Sequence, residues 1–197
     1  MISNSDFIWI KENALTESFC NHVIEKFNIE PDVYPGHIGV RHINNRVDKS
    51  IKDTTDFTLS NNPRWTEEDS IFFKSLTEGL EGYLNHLEDI GCRPNPTFQI
   101  NDTGYKLQKY KPGGKYIWHH DWSMTIEPVS SRIITFMWYL NTIEEKDEGY
   151  TEFIDGVKVQ PKCGNLILFP ATWTFLHRGY PPKVEKYLCN GWIHAKP

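Results

Sequence analysis

Short segments rich in β-branched and aromatic residues run from about residue 97 to the end of the sequence. Turn residues of the Pro-Gly-Gly, Asp-Gly and Pro-Pro types separate these segments. Many short strands at this spacing are typical of an all-β sandwich or barrel. The expected strands are Thr97–Tyr110, Lys115–Trp118, Arg132–Leu140, Tyr150–Ile154, Val157–Gln160, Asn165–Phe169, Thr174–Leu176 and Lys186–Ile193.

Two helices are predicted in the first two-fifths of the chain. Thr16 can cap the first helix, which places on one face the apolar residues Phe19, Cys20, Val23, Ile24 and Phe27. Thr66 begins the second helix, and the three acidic residues that follow it suit the positive end of the helix dipole. Residues 28–64 are rich in Pro, Gly, Asn and Asp and predict a long loop with one or two short strands. Because such long loops are often functional, residues 34–62 are a candidate lid.

A chain of 197 residues suffices for one domain and is short for two. We expect one domain, in which residues 1–96 supply helical support and the lid loop and residues 97–197 supply the β core. The net charge of −5 gives no basic footprint, which argues against a nucleic-acid partner.

The four cysteines are far apart in sequence and form no C-x-x-C pair, so we expect reduced thiols. No signal-peptide pattern is visible, and no apolar stretch approaches the roughly 20 residues that span a bilayer. These features predict a cytoplasmic protein without membrane contact, and they leave the oligomeric state open.

The strongest chemical signal is a His-x-Asp motif at the end of a predicted strand. His119 and Asp121 share one face of that strand because side chains alternate, and His120 points the opposite way. Two imidazoles and one carboxylate with open positions opposite suit iron(II) in oxygen-activating enzymes. His177, after another short strand-like segment, is the best third ligand.

A His-x-Asp motif alone is weak evidence, because both residue types are common in turns. The same reasoning assigns a packing or solvated role to the remaining histidines, which are His22, His37, His42, His86, His120 and His194. The residues around His119 and Asp121 therefore have to support the metal-site interpretation.

Further motifs occur in a recognisable order along residues 104–195. In chain order they are a strand ending in Tyr110 before Pro112-Gly113, then Arg132, Thr135, Tyr139, Leu140 and Asn141, then Gly149, Thr151 and Phe153, then Pro161 before an apolar strand, and finally His177, Gly179, Pro181, Lys186 and Trp192. This order resembles the prolyl-4-hydroxylase-like branch of the 2-oxoglutarate/iron(II) oxygenases. One departure is Glu148, which stands where the family often has the first of two glycines.

The resemblance implies a mainly β fold with N-terminal helices, a double-stranded β-helix (a cupin-like jelly roll) of about eight strands. It implies iron(II), 2-oxoglutarate and O2 as cofactor and co-substrates, with ascorbate as a candidate reductant. The implied metal ligands are His119, Asp121 and His177. Lys186 would hold the far carboxylate of 2-oxoglutarate, a role for which Lys183 is the alternative.

Five further residues are candidates for the cavity wall. Tyr110 and Tyr139 match tyrosines that bind the co-substrate in the family, although a strand tyrosine is more often a packing residue. Candidate substrate contacts are Arg132, Trp192 and Tyr116. Core packing for Trp192 and a surface ion pair for Arg132 are the alternatives.

Three functional hypotheses follow from the sequence. The first is a 2-oxoglutarate-dependent hydroxylase acting on a proline-containing peptide or protein, or on a free amino acid or other small molecule. The second is a cupin-like enzyme that uses another metal without 2-oxoglutarate. The third is a non-enzymatic jelly-roll module. The sequence does not name the substrate.

Overall fold

Antiparallel strands make up most of the computed structural model, which describes residues 2–40, 43–93, 99–126 and 129–196. The two α-helices are α1 (Glu17–Asn28) and α2 (Thr66–Asp89), and short 3-10 turns lie at Asn4–Phe7, Pro63–Trp65 and Glu145–Asp147. The strands are β1 (Trp9–Lys11), β2 (Tyr34–Pro35), β3 (His37–Val40), β4 (Ile43–Val47), β5 (Thr55–Thr58), β6 (Gln99–Asp102), β7 (Lys106–Tyr110), β8 (Tyr116–His119), β9 (Met124–Ile126), β10 (Val129–Tyr139), β11 (Thr151–Phe153), β12 (Lys158–Val159), β13 (Leu166–Pro170), β14 (His177–Gly179) and β15 (Lys186–Lys196).

Two sheets form the body of the fold. The large sheet has the order β1-β13-β10-β15-β7-β5-β2, with β6 added on β15 and β9 on β10. The small sheet has the order β12-β11-β14-β8, and β3 pairs only with β4 in a separate hairpin. Neighbours in these sheets are antiparallel and mostly non-consecutive in sequence, as in a jelly roll. The predicted mainly β, jelly-roll class is confirmed.

Alternation along β10 separates the two hydrophobic clusters of the protein. Phe136 and Trp138 belong to the cluster between the large sheet and the helices. Met137 and Tyr139 belong to the second cluster, which lies between the two sheets. The face of the large sheet that looks toward the small sheet is therefore apolar along this part of β10. Polar residues lie beside this apolar region and line a cavity.

Both helices begin where the sequence indicates. The Thr16 hydroxyl accepts a hydrogen bond from the Phe19 amide at 3.2 Å, which caps α1. Helix α2 buries Phe72, Leu76 and Tyr83 and contacts β1 and β13 of the large sheet. No helix among the described residues is long and apolar enough to cross a membrane.

The structure corrects three sequence predictions. The predicted loop 28–64 contains four strands, β2 to β5, two of which join the large sheet. The predicted strand Thr174–Leu176 is absent, because β14 begins only at His177. The predicted strand Thr97–Tyr110 is divided between β6 and β7, with Gly104 at φ +78° between them, and its first two residues lie outside the described part of the chain. Strands β1, β2 and β5 of the large sheet come from the first 96 residues.

Candidate metal centre and cavity

Two neighbouring strands of the small sheet bring the three predicted metal ligands together. His119 ends β8 and His177 begins β14, and the two residues pair directly across the strands. Asp121 follows β8, so its carboxylate reaches both imidazoles: Oδ1 lies 3.8 Å from His119 Nε2, and Oδ2 lies 3.6 Å from His177 Nε2. One ligand atom from each residue lies within 4.8 Å of the others, as the ligands of one ion must.

Backbone carbonyl groups orient both imidazoles. His119 Nδ1 lies 2.8 Å from the Ile117 carbonyl, and His177 Nδ1 lies 3.0 Å from the Phe175 carbonyl. A proton on each Nδ1 leaves the Nε2 lone pair free for a metal. The Tyr116 ring stacks on the His119 ring at 3.5 Å between centroids and further fixes its plane.

The electrostatics of His119 and Asp121 favour the forms that bind a metal. Burial, followed by the charge of His177, lowers the pKa of His119 to about 3, so this imidazole is neutral. Burial alone would raise the pKa of Asp121, but His177, His119 and the hydrogen bond from Thr135 outweigh it and lower the pKa to about 2. Two imidazoles and one carboxylate are a donor set that fits a divalent iron ion.

A cavity of about 1060 Å³ opens between the two sheets beside the triad. All three triad residues line it, and so does Lys186 on β15. The β3–β4 hairpin borders it through His37 and Gly39.

Lys186 is a fully buried cation without an anionic partner among the residues described. Its ammonium donates to the Gly149 carbonyl at 2.8 Å and lies 4.4 Å from the centre of the Tyr110 ring. Burial lowers the pKa of Lys186 to about 7. The alternative residue, Lys183, is exposed and lies 3.6 Å from Glu148. A buried ammonium that lacks a counter-ion fits a carboxylate of a bound ligand.

The two predicted tyrosines lie at different distances from the cavity. Tyr110 lines it, and its hydroxyl lies against Gly179. Tyr139 is not among the residues that line the cavity, and its hydroxyl donates to Thr151 Oγ1 at 2.7 Å. Because Thr151 accepts that bond, its own proton remains available on the cavity side. Thr151 entered the sequence analysis only as part of a motif.

The three predicted substrate-contact residues all line the cavity near the triad. The Arg132 guanidinium stacks on the Trp192 ring at 3.6 Å and donates to the Asp121 carbonyl at 3.3 Å. The Trp192 indole helps to lower the pKa of Asp121. Tyr116 contacts His119 as described above, and Lys52 lies 5.4 Å from its ring centre.

Sequence reasoning missed a polar cluster in the same cavity, formed by Lys52, Asp56, Lys106 and Gln108. Lys106, Gln108 and Tyr110 share one face of β7, because side chains alternate along a strand. This alternation was visible in the sequence. The other two members, Lys52 and Asp56, lie in the segment predicted as a loop, where no periodicity pointed to them. His120 is exposed, His37 stacks on Tyr34, and His42 lies outside the described residues.

Two imidazoles and a carboxylate arranged around open positions, at one end of a jelly roll, define a non-haem iron(II) oxygenase. Residues 105–194 match the model of the 2OG-Fe(II) oxygenase superfamily. This stretch contains the triad and Lys186, and it is similar to that superfamily. The predicted resemblance is therefore confirmed, and iron(II), 2-oxoglutarate and O2 are the cofactor and co-substrates of this class.

Several solved structures share the fold over nearly the whole chain. One is a viral collagen prolyl hydroxylase from Paramecium Bursaria Chlorella virus-1 in complex with 2OG, with 22% identity, 97% of each chain covered and a TM-score of 0.69. Another is a prolyl-4-hydroxylase of Pseudomonas putida, with 16% identity, 97% and 93% covered and a TM-score of 0.66. A prolyl hydroxylase of Trichoplax adhaerens, in complex with a hypoxia inducible factor peptide fragment, has 19% identity, 96% and 84% covered and a TM-score of 0.72. No curated protein sequence matches the chain significantly.

Proposed function

We propose that this protein hydroxylates prolyl residues of a peptide or protein at C4, using iron(II) and 2-oxoglutarate. The observation that carries the proposal is one cavity that holds both a triad of iron ligands and a buried ammonium for which the described residues supply no counter-ion. In the overall reaction, a C–H bond, O2 and 2-oxoglutarate give a C–OH group, succinate and carbon dioxide. When bound, iron and its co-substrate supply this oxidative chemistry, and the protein supplies binding and orientation.

His119, Asp121 and His177 would hold the metal on one side and leave the opposite side free. Their orientation is set before the metal arrives, by the carbonyl groups behind the imidazoles and by the Thr135 hydroxyl, which donates to Asp121 Oδ2 at 2.8 Å. Such outer contacts keep ligands in place and make binding tighter.

Lys186 would bind the far carboxylate of 2-oxoglutarate. Thr151 would donate a second hydrogen bond to the same carboxylate, because Tyr139 already occupies its acceptor side. Tyr110 would form the part of the cavity wall between Lys186 and the metal. Charge-assisted hydrogen bonds of this kind are roughly twice as strong as neutral ones, and burial excludes competing water.

A prolyl substrate is favoured by the similar structures, which are prolyl hydroxylases, one of them holding a peptide. An aromatic rim supports a peptide ligand: Trp122 lines the cavity and contacts Trp173, which is 61% exposed. Exposed aromatic rings offer flat apolar surfaces to a pyrrolidine ring. The β3–β4 hairpin lies beside this opening and offers strand edges to an extended chain.

A free amino acid is the second candidate substrate, for the same reaction. The cations Lys106 and Arg132 beside the triad favour it, because a small substrate with a carboxylate would need such a partner.

The test is mass spectrometry of products formed with iron(II), 2-oxoglutarate and ascorbate. We expect prolyl peptides to gain one oxygen, with the hydroxyl at C4, and we expect the Asp121→Ala variant to give no such product. Oxidation of free proline but of no peptide would contradict the peptidyl proposal.

A further inference from the structure

A second group of cations lines the cavity at the end away from Lys186. Lys106 lies on β7, Arg132 on β10, and Lys52 precedes β5. Both Lys106 and Arg132 contact the Trp192 ring, at 5.2 Å and 3.6 Å from its centre. The indole thus brings two positive charges to one place beside the triad.

Only one of these three cations has a full ionic partner. Lys52 donates to Asp56 Oδ2 at 2.7 Å, and both side chains are at most 2% exposed. Thr54 and Gln108 complete the coordination of Asp56, at 2.6 Å and 3.0 Å. Burial alone would raise the pKa of Asp56, but Lys52 and Lys106 lower it. Lys52 and Asp56 therefore form an ion pair without net charge.

Lys106 and Arg132 remain without a matched anion in the described parts of the chain. Lys106 Nζ lies 3.9 Å from Asp56, whose oxygens are already occupied. Among the described residues, Arg132 donates to the Asp121 carbonyl, and its buried Nε has no partner there. The Asp102 carboxylate, which also lines the cavity, accepts instead from the Gly104 amide at 2.7 Å.

This cationic position differs from the one occupied by Lys186. On the paired strands, Lys186 lies opposite Tyr110, whereas Asn190 lies opposite Lys106. Four residues of a strand separate the two positions by about 13 Å, so Lys106 is too distant to share a small dicarboxylate with Lys186. The second position therefore calls for a different anionic ligand.

We propose that Lys106 and Arg132 form a subsite for a carboxylate of the peptide substrate, close to the residue that is hydroxylated. The closeness follows from the contact of Arg132 with the backbone of Asp121, a metal ligand. The proposal rests on the prolyl-peptide hydroxylation proposed above. Two sources supply the carboxylate: an acidic side chain next to the proline, or the C-terminus of a peptide that ends near it.

Two further observations indicate that the bound carboxylate belongs to a peptide rather than to a free amino acid. Burial, followed by the repulsion of Lys52 and Arg132, lowers the pKa of Lys106 to about 8, and a bound carboxylate would restore its full charge. The neighbouring Asn190 has a buried Oδ1 without a hydrogen-bond donor. A peptide N–H suits that oxygen, whereas the ammonium of a free amino acid would meet the repulsion of the nearby cations.

The experiment measures peptide binding to the full chain by calorimetry, anaerobically, with iron(II) and 2-oxoglutarate present. Three N-acetylated peptides share one proline. Two have amidated C-termini and carry either an aspartate or an asparagine next to the proline, and the third has a neighbouring asparagine and a free C-terminal carboxylate after the proline. We expect at least one carboxylate peptide to bind about tenfold or more tightly than the amidated asparagine peptide. The preferred peptide identifies the source of the carboxylate.

Lys106→Met should bring that ratio close to one, and Arg132→Gln provides a second variant if the first does not fold. Lys109→Met is the matched control, because Lys109 lies on the same strand but pairs with Glu185 outside the cavity. Equal affinities of the wild-type protein for all three peptides, or an unchanged ratio in both variants, would overturn the subsite. Hydroxylation of the neutral peptide would in that case leave the proposed function standing, whereas hydroxylation of no peptide would overturn the function itself.

Discussion

The ligand atoms of the triad point into the cavity, so their removal should affect catalysis much more than stability. We expect His119→Ala, Asp121→Ala and His177→Ala each to abolish turnover and to weaken iron(II) binding strongly. The ligand atoms face a cavity rather than the apolar core, so the free energy of unfolding of the metal-free protein should fall little. Iron binding by calorimetry and unfolding in urea measure the two effects.

His120→Ala is the matched control for these variants. His120 is exposed, borders the cavity and is adjacent to His119 in sequence, but it is not one of the three ligands, so its loss should leave most of the activity. An inactive His120→Ala together with an active His119→Ala would show that the ligand assignment is wrong.

Lys186 predicts a pH dependence for 2-oxoglutarate binding. Because burial lowers its pKa to about 7, the empty site holds a neutral amine above that pH, and carboxylate binding must take up a proton. The affinity should be flat below pH 7 and should fall by up to about tenfold per pH unit above it. Calorimetry in buffers of different ionisation enthalpy measures the proton uptake.

Lys186→Met should remove this pH dependence and weaken binding about a hundredfold or more, since losing one partner of a buried pair costs roughly 3–5 kcal/mol. Lys183→Met should change neither property. The reverse outcome would place the anchor at Lys183.

Residue types with strong chemical preferences were predictable from the sequence. The His-x-Asp motif and the strand alternation selected His119 and Asp121, and the order of the surrounding motifs supported the motif as a metal site and His177 as the third ligand. The pair formed by Lys52 and Asp56 was not predictable. Its members lie in a segment without periodicity. The pairing of β5 with β7 brings Asp56 to the cavity, and a bridge to Tyr116 places Lys52 there.

At the scale of elements, β15 is the strand on which the large sheet depends, since it pairs with β10, β7 and β6. Gly191 sits where a Cβ atom would meet the Gly104 carbonyl at 2.4 Å and the Phe136 ring at 2.5 Å. We expect Gly191→Ala to destabilise the protein by about 1–3 kcal/mol or more, as overpacking does. Urea unfolding provides the measurement.

Gly113→Ala separates overpacking from backbone strain. Gly113 has φ +79° but open space around it, so alanine there should cost only about 1–2 kcal/mol, from the left-handed backbone. A Gly191→Ala variant as stable as the wild type would mean that β15 does not pack as closely as described.

The long periodic elements were more predictable than the connections between them. Helices α1 and α2 have clear apolar faces and start signals, and the longest strands are rich in β-branched and aromatic residues. Strands β2 to β5 escaped prediction because they are short and polar. Strands β3 and β4 pair with each other, but β5 pairs with the distant β7, and no local pattern marks that pairing.

At the scale of the whole molecule, we propose that residues 1–197 act as one domain. Strand β1 pairs with β13, and β5 pairs with β7, so the N-terminal segment is part of the same large sheet as the C-terminal segment. Unfolding should therefore be one cooperative transition, with coincident curves from tryptophan fluorescence and far-ultraviolet circular dichroism. Two separate transitions would indicate that the N-terminal segment folds independently.

The most direct test of the central claim follows both atoms of isotopically labelled oxygen gas in a reaction with a prolyl peptide. A triad of iron ligands and a buried cation for 2-oxoglutarate in one cavity predict that the two substrates are oxidised together. We expect one labelled atom in succinate and the other in the hydroxylated peptide, with equal amounts of the two products. Hydroxylation without succinate, or succinate formation that survives Asp121→Ala, would contradict the account.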